Sequence, residues 1–314
     1  MFEPAVWLRR AELLDRLGRI DEARDELARA IAVAPDAEML ATKRLLDASS
    51  AARRGSPDDL ARVLAAAPLP ERPRLSHRAV ADAAPGLLAA LAAAGPELAI
   101  AAGVRLEELH GPAGALAARE EAARMVPDDA DVWDALARSR VAAGDVDGAL
   151  EAWDRAIANA PAQPAFRIAP IRALVLAGVP DRARQRAGKL AAEARSARSV
   201  ELLVAASSAA SAIDRELAVA LARDAQALRP RDGRLAFLVA QRLADAGDTT
   251  AAARAYADLL ICGAHGRAWH RHEVAAKLRE LGAAARSVLD EKSRCETVEP
   301  GDLEQYTSAL RAIR

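Results

Sequence analysis

Apolar residues along this chain recur every three to four positions, with arginine, aspartate and glutamate between them. That spacing places one dry face on a helix. After Pro4, the residues Trp7, Ala11 and Leu14 share such a face, and Gly18 ends it. Ala23, Leu27 and Ala30 make a second face, closed by Pro35. Between Ala130 and Pro161, the residues Trp133, Ala137, Gly144, Ala149, Trp153 and Ala156 fall at the same offsets. Trp7 to Gly18 and Trp133 to Gly144 are each 11 residues; Gly18 to Pro35 and Gly144 to Pro161 are each 17. No run of β-branched and aromatic residues alternates between turn residues, so no strand is expected.

The period between neighbours is 34 residues, as from Pro127 to Pro161, Gly144 to Gly178, Ala115 to Ala149, Ala149 to Ala183 and Ala218 to Ala252. It predicts tandem helical hairpins at 96–129, 130–163, 164–197, 199–232 and 233–266, with one extra residue near 198. A lone hairpin cannot bury its apolar face, so the units must stack. Gly18, Gly144, Gly178 and Gly247 are expected where the chain leaves a helix with positive φ. Asp21, Asp145, Asp181 and Asp248 follow those breaks, placed to cap or charge-stabilise the next helix. Pro35, Pro127, Pro161 and Pro230 stop second helices. Pro170 interrupts a first helix, which is expected to start late, near Ala169, or to kink. The pattern weakens over 38–95, where helices near 38–53 and 57–66 and a loop from Pro68 to Pro73 are expected. It weakens again after 266, where helices near 268–281 and 283–292 and a capping helix from Asp302 to Ile313 are expected.

A 34-residue unit with this Trp, Gly, Ala and Pro spacing resembles the tetratricopeptide repeat. The resemblance implies an all-α, right-handed solenoid of stacked antiparallel helix pairs. It implies N-terminal hairpins over 1–95, five tandem repeats over 96–266, and a degenerate hairpin with a capping helix over 267–314. It also implies that first helices line a concave groove. Ile100, Val104, Asp134, Arg138, Ile168, Arg172, Val175, Val200, Leu203, Ser207, Phe237 and Gln241 are the positions expected there. Chaperone-binding members of the family carry a carboxylate clamp of Lys, Asn and Arg on these helices. Here the only asparagine, Asn159, ends a second helix, so neither that clamp nor an asparagine ladder is expected. The function implied is a non-catalytic scaffold that binds a peptide or helix of another protein in the groove. The alternative is an accessory region of a bacterial enzyme such as a glycosyltransferase, sulfotransferase or capsule polymerase.

Charge and composition narrow this further. The formal net charge is −1, so no global field points to nucleic acid or an anionic membrane. Basic charge is nearly all arginine; Lys43, Lys189, Lys277 and Lys292 are the only lysines. Cys262 and Cys295 do not make a disulfide framework. The N-terminus shows no basic region followed by an apolar run, and the longest uncharged stretch, between Asp82 and Glu97, is broken by Pro85, Gly86, Gly95 and Pro96. A soluble cytoplasmic protein without cofactor or membrane contact is expected, its oligomeric state left open. The segment Cys262 to Glu273 gathers Cys262, His265, His270 and His272. The two later histidines fall on different sides of a helix, so no tetrahedral zinc set is expected. Glu107, Glu108, Glu120 and Glu121 lie near His110, but carboxylates on open helices are ordinarily solvated, and no phosphate loop or nucleophile elbow is present. No arginine face alternates with aromatics as single-strand stacking needs.

Overall fold

The structure, a computed structural model, describes residues 4–260 and 271–294, and towards the C-terminus 304, 306–309 and 311. Every regular element among these residues is helical, as an Ala-, Leu-, Arg- and Glu-rich chain favours. The helices pack as two compact units, 1–162 and 163–314.

The first unit holds α1 (Pro4–Arg16), α2 (Ile20–Val33), α3 (Ala37–Arg53), α4 (Pro57–Ala66), α5 (Arg72–Asp82), α6 (Leu88–Ala92), α7 (Pro96–Gly114), α8 (Leu116–Met125), α9 (Ala130–Ala142) and α10 (Val146–Asn159). Short turns fold α1 with α2, α3 with α4, α7 with α8 and α9 with α10 into helix pairs, while α6 packs on α7 and α8 rather than on α5. In addition, α1 touches α3, α3 touches α5, α5 touches α7, and α7 touches α9. First helices therefore form a row with second helices alongside, the arrangement of a solenoid. Both α5 and α6 pack on α7, so the hairpins before residue 95 and the repeats after it share one packed body.

The second unit holds α11 (Pro164–Leu176), α12 (Pro180–Ser196), α13 (Val200–Ala210), α14 (Arg215–Leu228), α15 (Gly233–Asp245), α16 (Thr249–Asp258), α17 (Arg271–Leu281) and α18 (Ala283–Ser293). Here α17 and α18 pack on α16, and Tyr306 and Ala309 join the same core as Val288 and Leu289. The helical residues around Tyr306 thus cover apolar surface at this end. Asp302 and Ile313, the expected limits of that helix, lie outside the described residues.

The turns follow from glycine. Gly18, Gly144, Gly178 and Gly247 have φ of 75°, 85°, 71° and 87°, a region where a Cβ is strained. After each, the next N–H reaches back five residues, as from Asp145 to the Arg140 carbonyl at 2.9 Å and from Asp248 to Leu243 at 3.0 Å. The extra residue near 198 is absorbed in the same kind of turn. Arg198 has φ 49°, and Ser199 N–H donates to the Ala194 carbonyl at 3.2 Å. Asp145 and Asp248 cap their helices, accepting from Gly148 N at 2.9 Å and Ala251 N at 3.0 Å. Asp21 and Asp181 sit inside the first turn instead, where they meet the helix dipole. A further set of caps was not foreseen. Asp36, Asp129 and Asp232, each one or two residues after a unit-ending proline, accept from the first amides of α3, α9 and α15.

Two expectations are corrected. The helix carrying Pro170 does not start late: α11 begins at Pro164, where a missing N–H costs nothing, and continues through a buried Pro170. The loop from Pro68 to Pro73 is shorter than expected. Leu69–Glu71 is a 3-10 turn, and Pro73 already sits in the first turn of α5.

Candidate interaction surface

The first helices were expected to offer a row of groove residues, and the structure divides them into open, shared and closed positions. On α7, Val104 is exposed and Ile100 half-buried. On α9, Arg138 is exposed, with its Nε 3.1 Å from an Asp134 carboxylate oxygen. Asp134 is not free to meet a ligand alone. Its other oxygen accepts from the indole Nε1 of buried Trp153 on α10 at 2.8 Å.

On α11, Arg172 is exposed while Ile168 and Val175 are half-buried. Leu176, which sequence reasoning left out, is 84% exposed beside them. The same helix buries Phe166, Ile171 and Leu174, so α11 is apolar on both sides.

On α13 the expectation fails. Val200, Leu203 and Ser207 are buried, Leu203 at 2% exposure. The helix is built from valine, leucine, alanine and serine, and small side chains let α11, α12 and α14 approach it from several sides. Ser207 Oγ is committed as well, donating to the Ala218 carbonyl at 2.8 Å and accepting from Arg242 Nε at 3.3 Å. On α15, Gln241 and Phe237 are half-buried, and Phe237 packs edge-on against Tyr256, with ring centroids 5.4 Å apart.

Two charged features of the first unit carry no sequence motif. On the first-helix side, Arg78 of α5 bridges Asp15 of α1 and Asp82, each at 2.6 Å, and Ser49 of α3 donates to Asp82. This face is closed by its own ions. On the other side, α2, α3 and α4 enclose a cleft of about 370 Å³ that includes Arg24, Arg44, Arg54, Arg62, Asp47 and Asp59, with Ala51, Val63 and Ala66 as apolar lining. These arginines lie on three helices 8 to 20 residues apart, which is why no linear pattern marks them.

The chemistry weighed near His110 is taken up by ion pairs. Glu107 accepts from Arg119 at 2.8 Å, Glu108 from Arg105 at 2.9 Å, and Glu121 pairs with Arg124. Among the described residues, no group of three or more His, Cys, Asp or Glu is placed to hold a metal ion. Cys262, His265 and His270 lie outside those residues; His272 and Glu273 are exposed at the start of α17. No helix among the described residues is long and apolar enough to cross a membrane.

A tetratricopeptide-repeat family model matches residues 5–37. No curated protein matches the sequence. Among solved structures, a MamA fragment from Desulfovibrio magneticus aligns at 16% identity and TM-score 0.35, covering 52% of this chain and 92% of its own. Pseudomonas aeruginosa PilF aligns at 16% identity and TM-score 0.36, covering 68% and 96%. A tetratricopeptide repeat protein from Parabacteroides merdae aligns at 11% and 0.38, covering 87% and 98%. Superpositions this loose say nothing about function.

Proposed function

We infer that this chain, a tetratricopeptide-repeat protein, is a non-catalytic scaffold that holds a peptide or helix of a partner protein against its first helices. The observation that supports this reading most is α11. A helix that buries one apolar face ordinarily turns polar side chains outward, yet Leu176 stands open beside half-buried Val175 and Ile168. Contiguous apolar surface on a protein exterior marks a place where something binds. Arg172 lies among these residues as an exposed cation that can orient an acidic group of the partner. In the first unit, Val104 and Arg138 offer the same mixture.

The size of the effect is modest. Covering about 400 Å² of apolar surface at roughly 25 cal/mol per Å² gives about 10 kcal/mol before association and ordering costs. Those costs, about 4 kcal/mol or more, leave at most about 6 kcal/mol, an affinity of tens of micromolar or weaker. The test places a photo-crosslinking amino acid at Leu176 and, as a control, at exposed Lys189 on α12. A partner cross-linked from Leu176, absent from Lys189 and lost with Ile168→Glu, supports the reading. No product, or the same product from both positions, overturns it.

A further inference from the structure

We propose that the arginine cleft between α2, α3 and α4 is a second binding site, one that takes an acidic peptide segment. It lies away from the row of first helices, on the side where the second helices α2 and α4 flank α3. Its volume, about 370 Å³, is at the small end of ligand-sized cavities and fits one or two side chains rather than a whole domain.

The charges decide what enters. Four guanidinium groups face two carboxylates across the cleft. Arg24 is anchored, its Nε 3.0 Å from Asp47 and its Nη1 donating to Ser50 Oγ at 2.9 Å. Arg44 is anchored by a two-pronged contact to Glu71, at 2.9 Å from both Nε and Nη2. The other two lean on one acid. Arg62, 78% exposed, donates directly to Asp59, and Arg54 only reaches the same carboxylate at 3.9 Å. Two cations sharing one anion leave guanidinium donors for an incoming carboxylate. The fixed pair, Arg24 and Arg44, sets the depth of the cleft, and the exposed pair can turn onto the ligand. Val63 and Ala66 suit the methylenes of a glutamate.

A carboxylate ligand is favoured over a nucleic acid. The lining holds no aromatic side chain on which a base could stack.

The experiment is a fluorescence-anisotropy titration of the full chain with a fluorescein-labelled peptide of six glutamates, a matched peptide of six glutamines, and a labelled six-nucleotide oligouridylate. The glutamate peptide is expected to bind, the glutamine peptide not, and binding is expected to weaken as salt screens the exposed arginines. Arg54→Glu/Arg62→Glu, at two solvent-facing positions the fold does not need, is expected to weaken binding by about tenfold or more. Arg155→Glu, exposed on α10, is expected to leave it unchanged. No binding, equal loss with Arg155→Glu, or tighter binding of the oligouridylate would overturn the proposal. None of these readings depends on α11, so the two sites fail or succeed separately.

Discussion

The hairpins α9/α10 and α15/α16 share one skeleton and seal it differently. Gly144 and Gly247 turn them, Asp145 and Asp248 cap the second helix, and Asp129 and Asp232 cap the first. At one shared offset the second helix buries Trp153 in one hairpin and Tyr256 in the other. The facing first-helix residue is Asp134 in the first case and Phe237 in the second. Asp134 accepts the indole proton; Phe237 gives an aromatic edge contact, and the buried Tyr256 hydroxyl has no partner among the described residues. The difference teaches that this first-helix position belongs to the hairpin before it belongs to any ligand. A groove residue read from spacing alone can already be engaged in holding its own pair together.

Three substitutions sharpen the comparison. Trp153→Ala is expected to cost about 3–5 kcal/mol, because a large buried side chain leaves a cavity. A loss under about 1 kcal/mol in urea unfolding would show that α10 is not anchored there. Asp134→Ala is expected to cost about 1–3 kcal/mol, since the indole N–H loses its acceptor in a half-buried place. Asp134→Asn, whose amide oxygen can still accept, should recover part of it in the same assay.

Tyr256→Phe is expected to be neutral or stabilising by up to about 1 kcal/mol, because it removes a buried hydroxyl that pairs with nothing among the described residues. Its pH signature is sharper. Burial, helped by Asp245, Glu280 and Glu273, pushes the Tyr256 phenol up to about 12 from an ordinary value of 10.0. The folded state therefore favours the neutral phenol. That contribution is intact below pH 10 and is lost as pH rises through about 12. Unfolding midpoints at pH 9 and pH 11.5 should fall more for the parent protein than for Tyr256→Phe. Parallel falls would contradict the assignment.

Much of the fold was legible because its punctuation is local. Glycine at a positive-φ turn, aspartate after it and proline at the end of a unit act through their own backbones, and tertiary packing has little freedom to override them. Pro170 does not set the start of its helix, because Pro164, preset at the first helical position, opens it six residues earlier, and the Pro170 ring is buried among neighbours. The surface was less legible. Asp134 and Ser207 look polar and available in sequence, but each finds a partner on a helix 11 to 19 residues away. Val200 and Leu203 look like groove residues until the small side chains of α13 let neighbouring helices close over them. The arginine cleft is invisible for the converse reason, since it assembles from three helices that each look like an ordinary solvated face.

The central claim is that α11 keeps an open apolar face while α13 keeps none. The most direct measurement is maleimide labelling of folded Leu176→Cys and Leu203→Cys, each in a Cys262→Ser/Cys295→Ser background. Cysteine at 176 should react as fast as in the unfolded chain, and cysteine at 203 should be protected by about a hundredfold or more, reacting only when the helix opens. Equal rates at the two positions would contradict the account.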